Sequence, residues 1–292
     1  MTVLVAHSLD DALAALATDP SATLLAGGTD LMVEVNEGHR RFAGGEAATV
    51  VALAGVPELT SWSVDPGRVL TLGAAVRWIQ IEREPLQSLV PALAEAARTV
   101  GSPQIRHAGT VGGNLATCSP AGDGLPVLAA LDAVVHLATA SGRRSLPVGE
   151  FMVGVKRTAL APGELIESIS IPLLDGWQGY SKVGVRNAMV IATASACVAT
   201  DATTRSVRIA LGSVAPTVIR CPEAEALATD AVDWVRRAIP VEVSRQAGEL
   251  AAATSRPIDD HRSTAAYRRH AVGVMVQRLL QRAFPTPAEG AA

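Results

Sequence analysis

Leu9, Leu13 and Leu16 fall at i, i+4 and i+7 behind Ser8, with Asp11 three residues after the serine, the pattern of a capped amphipathic helix. A helix is therefore expected as the first element. Residues 21–26 (SATLLA) form a short apolar run closed by Gly27-Gly28, and an amphipathic piece at 31–37 follows at once. That order predicts strand, glycine turn, helix. Residues 49–53 (TVVAL) read as a further strand, and 64–72 (VDPGRVLTL) as a hairpin about a Pro-Gly turn. An Ala-rich helix is expected over 89–100. Residues 101–123 hold five glycines and two prolines without a periodic face, so an irregular segment is expected there. Structureless stretches beyond about 12 to 15 residues are uncommon in compact domains unless they bind something. From Leu125 a short helix leads to a strand at 133–139 and a Ser141-Gly142 turn, and 165–172 (LIESISIP) alternates as a strand. Beyond Trp177 the pattern changes to three β-rich pieces, GYSKVGV, MVIATASACVAT and SVRIALGSVA, with a turn at 201–204. A second domain is expected to begin near Trp177. Residues 222–284 are helical in pattern, with Asp259 and Asp260 placed to cap the last helix and a frayed tail after Phe284. The fold class is α+β.

Composition bounds what such a chain does. Its 292 residues are enough for two or three compact units, and 49% hydrophobic against 18% charged residues, with a mean hydropathy of +0.28, exclude a disordered chain. Lys plus Arg number 25 against 28 Asp plus Glu, a net charge of -3 without a basic run, so nucleic-acid binding lacks its electrostatic footprint. No apolar stretch reaches the roughly 18 to 20 residues of a membrane span. The N-terminus has no secretory pattern, and a cytoplasmic location is expected. Cys118, Cys197 and Cys221 form neither a disulfide framework nor a CxxC pair, so no metal or iron-sulfur site is expected on this chain.

Two segments carry the candidate chemistry: 24–31 (LLAGGTDL) and 109–123 (GTVGGNLATCSPAGD). Glycines let a backbone approach a diphosphate and aim consecutive N–H groups at its oxygens, and Thr29, Thr110 and Asn114 add side-chain donors. Two such loops can clamp one pyrophosphate, although each is also what a tight turn looks like. Neither is a GxGxxG fingerprint, and no GxxxxGK[ST] loop or GxSxG elbow occurs. Asp123 suits ligand hydroxyls or the N-cap of the helix after it. His107 reads as a loop-stabilising residue and Cys118 as a small packing residue, and no catalytic side chain is expected. Lys182 is one of only two lysines among the 25 basic residues, which hints at a need for an ammonium, with a surface lysine as the alternative.

Taken together, AGGTDL at 26–31, SPQIRHAGTVGGNLATCSPAGDGLPVLAALDA at 102–133, SKVGVRNAMVIA at 181–192 and the ending IDDHRSTAAYRRHAVGVM closely resemble the FAD-binding medium subunit of the molybdenum hydroxylases, the xanthine dehydrogenase and carbon monoxide dehydrogenase family. The resemblance runs from about residue 8 to residue 283. It implies a two-lobed FAD-binding domain of the vanillyl-alcohol-oxidase type over 1–174, with lobes of about 1–55 and 56–174, then a C-terminal domain of a three-stranded antiparallel sheet and a helical bundle over 175–285, and a tail at 286–292. By the same likeness Leu25, Ala26, Gly27, Gly28, Thr29, Asp30 and Leu31, with Thr110, Val111, Gly112, Gly113 and Asn114, would hold the FAD diphosphate. Asp123 would bond the ribityl chain, Leu165 or Ile166 would contact the flavin ring, and Lys182 would lie near its polar edge.

The resemblance further implies an electron-exit role. A large partner subunit would hold the molybdenum cofactor, a small one two 2Fe-2S clusters, and electrons would leave through FAD to NAD or another acceptor, in a dimer of heterotrimers. The loop AGGTDLMVEVN looks most like purine-oxidising bacterial xanthine dehydrogenases rather than the AGGHSLLP type of carbon monoxide dehydrogenases. Subunits of carbon monoxide, aldehyde or N-heterocycle hydroxylases are the alternatives within the family. Outside it stand a self-contained flavin reductase, for which no substrate acid or base is evident in the C-terminal half, and a scaffold without FAD, against which the intact glycines argue.

Overall fold

The structure is a computed structural model and describes residues 2–39, 41–42, 45 and 48–285; the tail expected at 286–292 lies outside the described residues. A strand, β1 (Thr2–Val5), comes first, ahead of the helix that was expected to open the chain. All four of its side chains are exposed, so no apolar alternation marks it in the sequence. Its backbone ladder places it: with β2 (Thr23–Leu25) and β3 (Thr49–Ala52) it forms a parallel sheet of order β1-β3-β2. The helix behind Ser8 is α1 (Leu9–Thr18), where Ser8 Oγ accepts from the Asp11 N–H at 3.1 Å and Leu9, Ala12, Leu13 and Leu16 are buried. After the glycine turn comes α2 (Leu31–Asn36).

A short α3 (Pro57–Thr60) leads to β4 (Trp62–Val64) and β5 (Val69–Gly73), the hairpin expected about the Pro-Gly turn. Then follow α4 (Trp78–Ile81), α5 (Leu86–Leu89) and α6 (Pro91–Thr99). The segment expected to be irregular instead holds α7 (Pro103–Ala108) and α8 (Val111–Thr117). At 6 and 7 residues they are too short to show a helical period, and capping starts them: Ser102 Oγ accepts from the Ile105 N–H at 3.3 Å, Thr110 Oγ1 from that of Gly113 at 3.0 Å. Next come α9 (Gly124–Ala130), β6 (Val134–Thr139), β7 (Gly142–Pro147), α10 (Val148–Phe151), the small hairpin of β8 (Met152–Gly154) and β9 (Arg157–Thr158), and β10 (Leu165–Pro172). These complete a sheet of order β4-β5-β10-β6-β7.

The β-rich pieces become β11 (Gln178–Val183), β12 (Ala194–Asp201) and β13 (Ser206–Gly212), antiparallel, with a two-residue β14 (Ile219–Arg220) added at the edge of the expected three. The helices are α11 (Pro222–Ala231), α12 (Val241–Thr254) and α13 (Ala265–Ala283). The cap of α13 is Thr264, whose Oγ1 accepts from the Tyr267 N–H, and not Asp260; Asp259 Oδ1 takes the Ala265 N–H while Asp260 turns to Arg268. Every residue of β12 is buried because both its faces are covered. Ala194, Ala196 and Val198 pack with Val272 and Leu279 of α13, whereas Cys197 and Ala199 join the core of Leu125, Leu128 and Ile169. One sheet thus belongs to two cores and fixes the C-terminal helices against the preceding α/β body.

Candidate functional site

Stretches far apart in the chain wall one cleft of about 1720 Å³, well beyond the roughly 300 to 1000 Å³ of ordinary small-molecule pockets. The turn after β2, the start of α8 and the head of β10 form one side; residues 189–192, Ser213 and parts of 256–262 form the other. Of the sequence candidates, Leu25, Ala26, Gly27, Gly28, Thr29, Asp30, Leu31, Thr110, Gly112, Gly113, Asn114, Asp123, Leu165 and Ile166 all line it. Val111 and Lys182 do not. Val111 is wholly buried in the core, because the first turn of α8 needs an apolar anchor there.

The two glycine loops touch, and their contacts say why glycine is required. A Cβ on Gly27 would lie 2.0 Å from the Ala108 carbonyl oxygen, and one on Gly112 would lie 2.6 Å from both the Cβ and the carbonyl oxygen of Ala74. Gly28 has φ +69°, a conformation that side chains oppose. The loops differ in where their amides go. In the second, N–H groups donate from Val111 to Val76, Gly112 to Ala74, Gly113 to Thr110 Oγ1 and Asn114 to the Thr110 carbonyl, at 2.8–3.1 Å. In the first, no hydrogen bond is found among the described residues for the N–H groups of Gly27, Gly28, Thr29, Asp30 or Leu31. Consecutive unspent amides at the mouth of a helix make an anion cradle. Buried Asn114 Oδ1 has no partner either, a state that calls for a donor or water beside it. A diphosphate fits the first loop, and a ligand rich in hydroxyls fits the second.

Asp123 sits at the N-cap position of α9, but its side chain makes no cap bond. Its Oδ1 accepts from the Tyr180 hydroxyl at 2.8 Å and its Oδ2 from the Lys182 ammonium at 2.8 Å. Lys182 also donates to the Thr99 carbonyl at 2.9 Å and the Val190 carbonyl at 3.1 Å, so its three protons are all engaged behind the cleft wall, and it is no surface lysine. Burial raises the Asp123 carboxyl above the usual range, against the pull of Lys182 and Tyr180. The Tyr180 phenol is pushed well up, first by burial and then by the Asp123 charge. A buried ion pair is tolerated only when its remaining groups are hydrogen-bonded, and this one is.

Cys118 closes α8 with φ +46° and is buried, its thiol raised by burial, so no thiolate is held there. His107 stays on α7, its Nδ1 2.7 Å from the Pro103 carbonyl oxygen. Sequence reasoning missed Tyr180, one of 2 tyrosines, and the buried Arg268. Arg268 donates to the Thr193 and Ser213 carbonyls at 2.8 and 3.0 Å and to Asp260 at 2.6 Å, locking the far cleft wall. Burial works against the Asp260 charge, but donors from Arg262, Arg268 and Ser263 outweigh it and hold the carboxyl at about 2. The signal was there: two acids and three arginines in IDDHRSTAAYRR, more charge than a cap needs. Among the described residues no helix is long and apolar enough to cross a membrane, and no three His, Cys, Asp or Glu come together as metal ligands.

Comparison with known proteins gives the family. Residues 1–174 match the family profile described as the FAD binding domain in molybdopterin dehydrogenase, and 180–283 the CO dehydrogenase flavoprotein C-terminal domain. The chain is 27% identical over 285 residues to the xanthine dehydrogenase FAD-binding subunit of Escherichia coli O157:H7, covering 95% of this chain and 94% of that one. It is 30% identical over 282 residues to the nicotine 6-hydroxylase medium subunit of Paenarthrobacter nicotinovorans, covering 94% and 93%. A chain of the carbon monoxide dehydrogenase of Oligotropha carboxidovorans superposes with a TM-score of 0.85 at 29% identity, covering 97% of each. The chain belongs to the FAD-binding medium subunits of the molybdenum hydroxylases, an oxidoreductase family.

Proposed function

We propose that this subunit is the electron exit of a purine-oxidising hydroxylase of the xanthine dehydrogenase type. Its FAD diphosphate would rest on the amides of residues 27–31, with Asn114 and Asp123 along the ribityl chain and Leu165 and Ile166 against the ring. The row of unspent N–H groups carries this reading, since a fold retains unpaired donors in a wall only where a ligand or water takes them. FAD supplies the ability to receive electrons singly and release them in pairs. The chain's own residues bind it, orient it and shield it from water, and none of them need move a proton.

The division into an FAD domain at 1–174 and a C-terminal domain at 175–285 follows from the same reading. Partners would be a large molybdenum subunit and a small subunit with two 2Fe-2S clusters, in a cytoplasmic dimer of heterotrimers, with NAD as acceptor. The purine assignment rests on the loop AGGTDLMVEVN, because the relatives act on several substrates. The test is to isolate the chain from its host with whatever accompanies it, record the absorption spectrum, and assay with hypoxanthine and NAD. Flavin bands, molybdenum and iron-sulfur partners and NAD reduction are expected. Turnover of carbon monoxide, an aldehyde or another heterocycle in place of hypoxanthine would overturn the substrate, and a colourless chain would overturn the cleft.

A further inference from the structure

The cleft wall at 184–192 is a loop with few ties. Val185, Met189 and Ile191 are each more than half exposed, Met189 has φ +49°, and Arg186 donates only to the loop's own Ala188 and Met189 carbonyls. Among the described residues, Lys182 reaches into it from the body of the protein through the Val190 carbonyl, and Ser213 Oγ holds its end by donating to the Ala192 carbonyl at 2.9 Å. The same ammonium holds Asp123, from the opposite domain, and the Thr99 carbonyl at the end of α6. We propose that Lys182 is a positioning residue that clasps the 184–192 loop to the Asp123 carboxylate, so that one buried ammonium sets two walls of the cleft together. It acts from behind the wall and does not touch what the cleft holds.

Geometry argues for the ammonium. Three acceptors from three segments converge on one nitrogen with 8% side-chain exposure, and a lysine offers three donors about one atom. Tyr180 shares Asp123 but makes no bond to the loop, so the two donors can be separated by mutation. A ligand that engages Asp123 draws on the carboxylate that anchors the clasp, which links occupancy to loop position.

Arg186 makes the loop readable by trypsin. Arg157, exposed at the start of β9, serves as an internal reference. The measurement is the rate of cleavage after Arg186 relative to that after Arg157, on the full chain without FAD, by mass spectrometry. Lys182→Met should raise the ratio roughly tenfold, the size expected for loss of a charge-assisted bond. Asp123→Asn should raise it in the same direction, and the double variant should exceed neither single change by much. Lys182→Arg should restore little of the protection, since a planar guanidinium does not set three donors about one atom, while Tyr180→Phe should leave the ratio at the wild-type level. An unchanged ratio in Lys182→Met overturns the proposal, as does a Tyr180→Phe effect as large as that of Lys182→Met, which would mean a generally loosened interface. Adding FAD to the wild type should lower the ratio, and in Lys182→Met that response should shrink. Failure of the chain to take up flavin at all would count against the cofactor reading and leave the FAD-free ratios to judge the clasp.

Discussion

The two glycine loops share a signature, Gly-Gly followed by a polar residue, and they pack against each other, yet they use their backbones in opposite ways. The loop at 109–114 commits its amides to Val76, Ala74 and Thr110, so it is part of the scaffold that builds the second lobe. The loop at 27–31 leaves its amides unspent and faces the cleft. Similar sequence therefore does not mean similar work: both loops need glycine for close packing or a turn, yet one spends its amides on the scaffold and the other leaves them open to the cleft. In the second loop, Gly112 meets Ala74 and not empty space.

The largest effect should come from breaking the scaffold loop. Gly112→Val drives a side chain into the Ala74 backbone, and overpacking of this kind costs about 3 kcal/mol. For a chain of this size that lowers the melting temperature by roughly 6 to 12 °C. Calorimetry of the FAD-free variant separates the two accounts: a melting point equal to wild type with only flavin lost would mean that the space at Gly112 belongs to the ligand after all. Amide exchange sharpens the same contrast without mutation. Gly28, Thr29 and Asp30 should exchange fast without FAD and slowly with it, whereas Val111, Gly112 and Asn114 should be protected in both states. Equal gains of protection in the two loops would erase the distinction.

Gly28→Ala should cost less, about 1 kcal/mol, for a side chain at φ +69°. The Cβ would lie 3.1 Å from Leu25 Cδ1 and 3.3 Å from Met32 Cγ, both side-chain atoms that can yield. The fold should survive and FAD affinity should fall, measurable by flavin fluorescence on titration. Acid probes the far wall instead. The Asp260 carboxyl sits at about 2 in the fold against an ordinary 3.8, so the unfolded chain binds that proton more readily. Its stabilising contribution is complete above about pH 3.8 and is lost as pH falls through about 2. Asp260→Asn should flatten that acid limb of a denaturation curve while leaving the exchange pattern of both loops as it was.

Much of this was legible in the chain because local patterns and tertiary structure agreed. Leu9, Leu13 and Leu16 marked α1, alternation marked β10, and the glycine pairs marked the cleft. What the pattern hid has physical causes. The side chains of β1 are exposed, so only its ladder with β3 defines it. The helices α7 and α8 owe their existence to capping by Ser102 and Thr110 more than to periodicity. Val111 sits between cleft-lining neighbours but points its bulk into the core, since a single helical turn changes face within the motif. Lys182 stood out by rarity alone. Its partners Asp123 and Thr99 lie 59 and 83 residues away, a distance at which one sequence carries no pairing signal.

The smallest effect tests how far the two loops act as one. Thr117 Oγ1 donates to Asp30 Oδ2 at 2.9 Å across 87 residues, joining the end of α8 to the free loop. The bond is exposed, and water replaces it readily, so Thr117→Val should change stability by no more than about 0.5 kcal/mol. Its effect on the ligand is a separate matter, because Asp30 is the residue from which α2 begins, and its backbone N–H belongs to the cradle. If the scaffold loop holds the cradle in shape, the valine variant releases FAD about twofold faster, as followed by the return of free-flavin fluorescence on dilution. If the release rate is unchanged while Gly28→Ala still weakens binding, the first loop keeps its shape through its own turn, and the second is its foundation without being its partner.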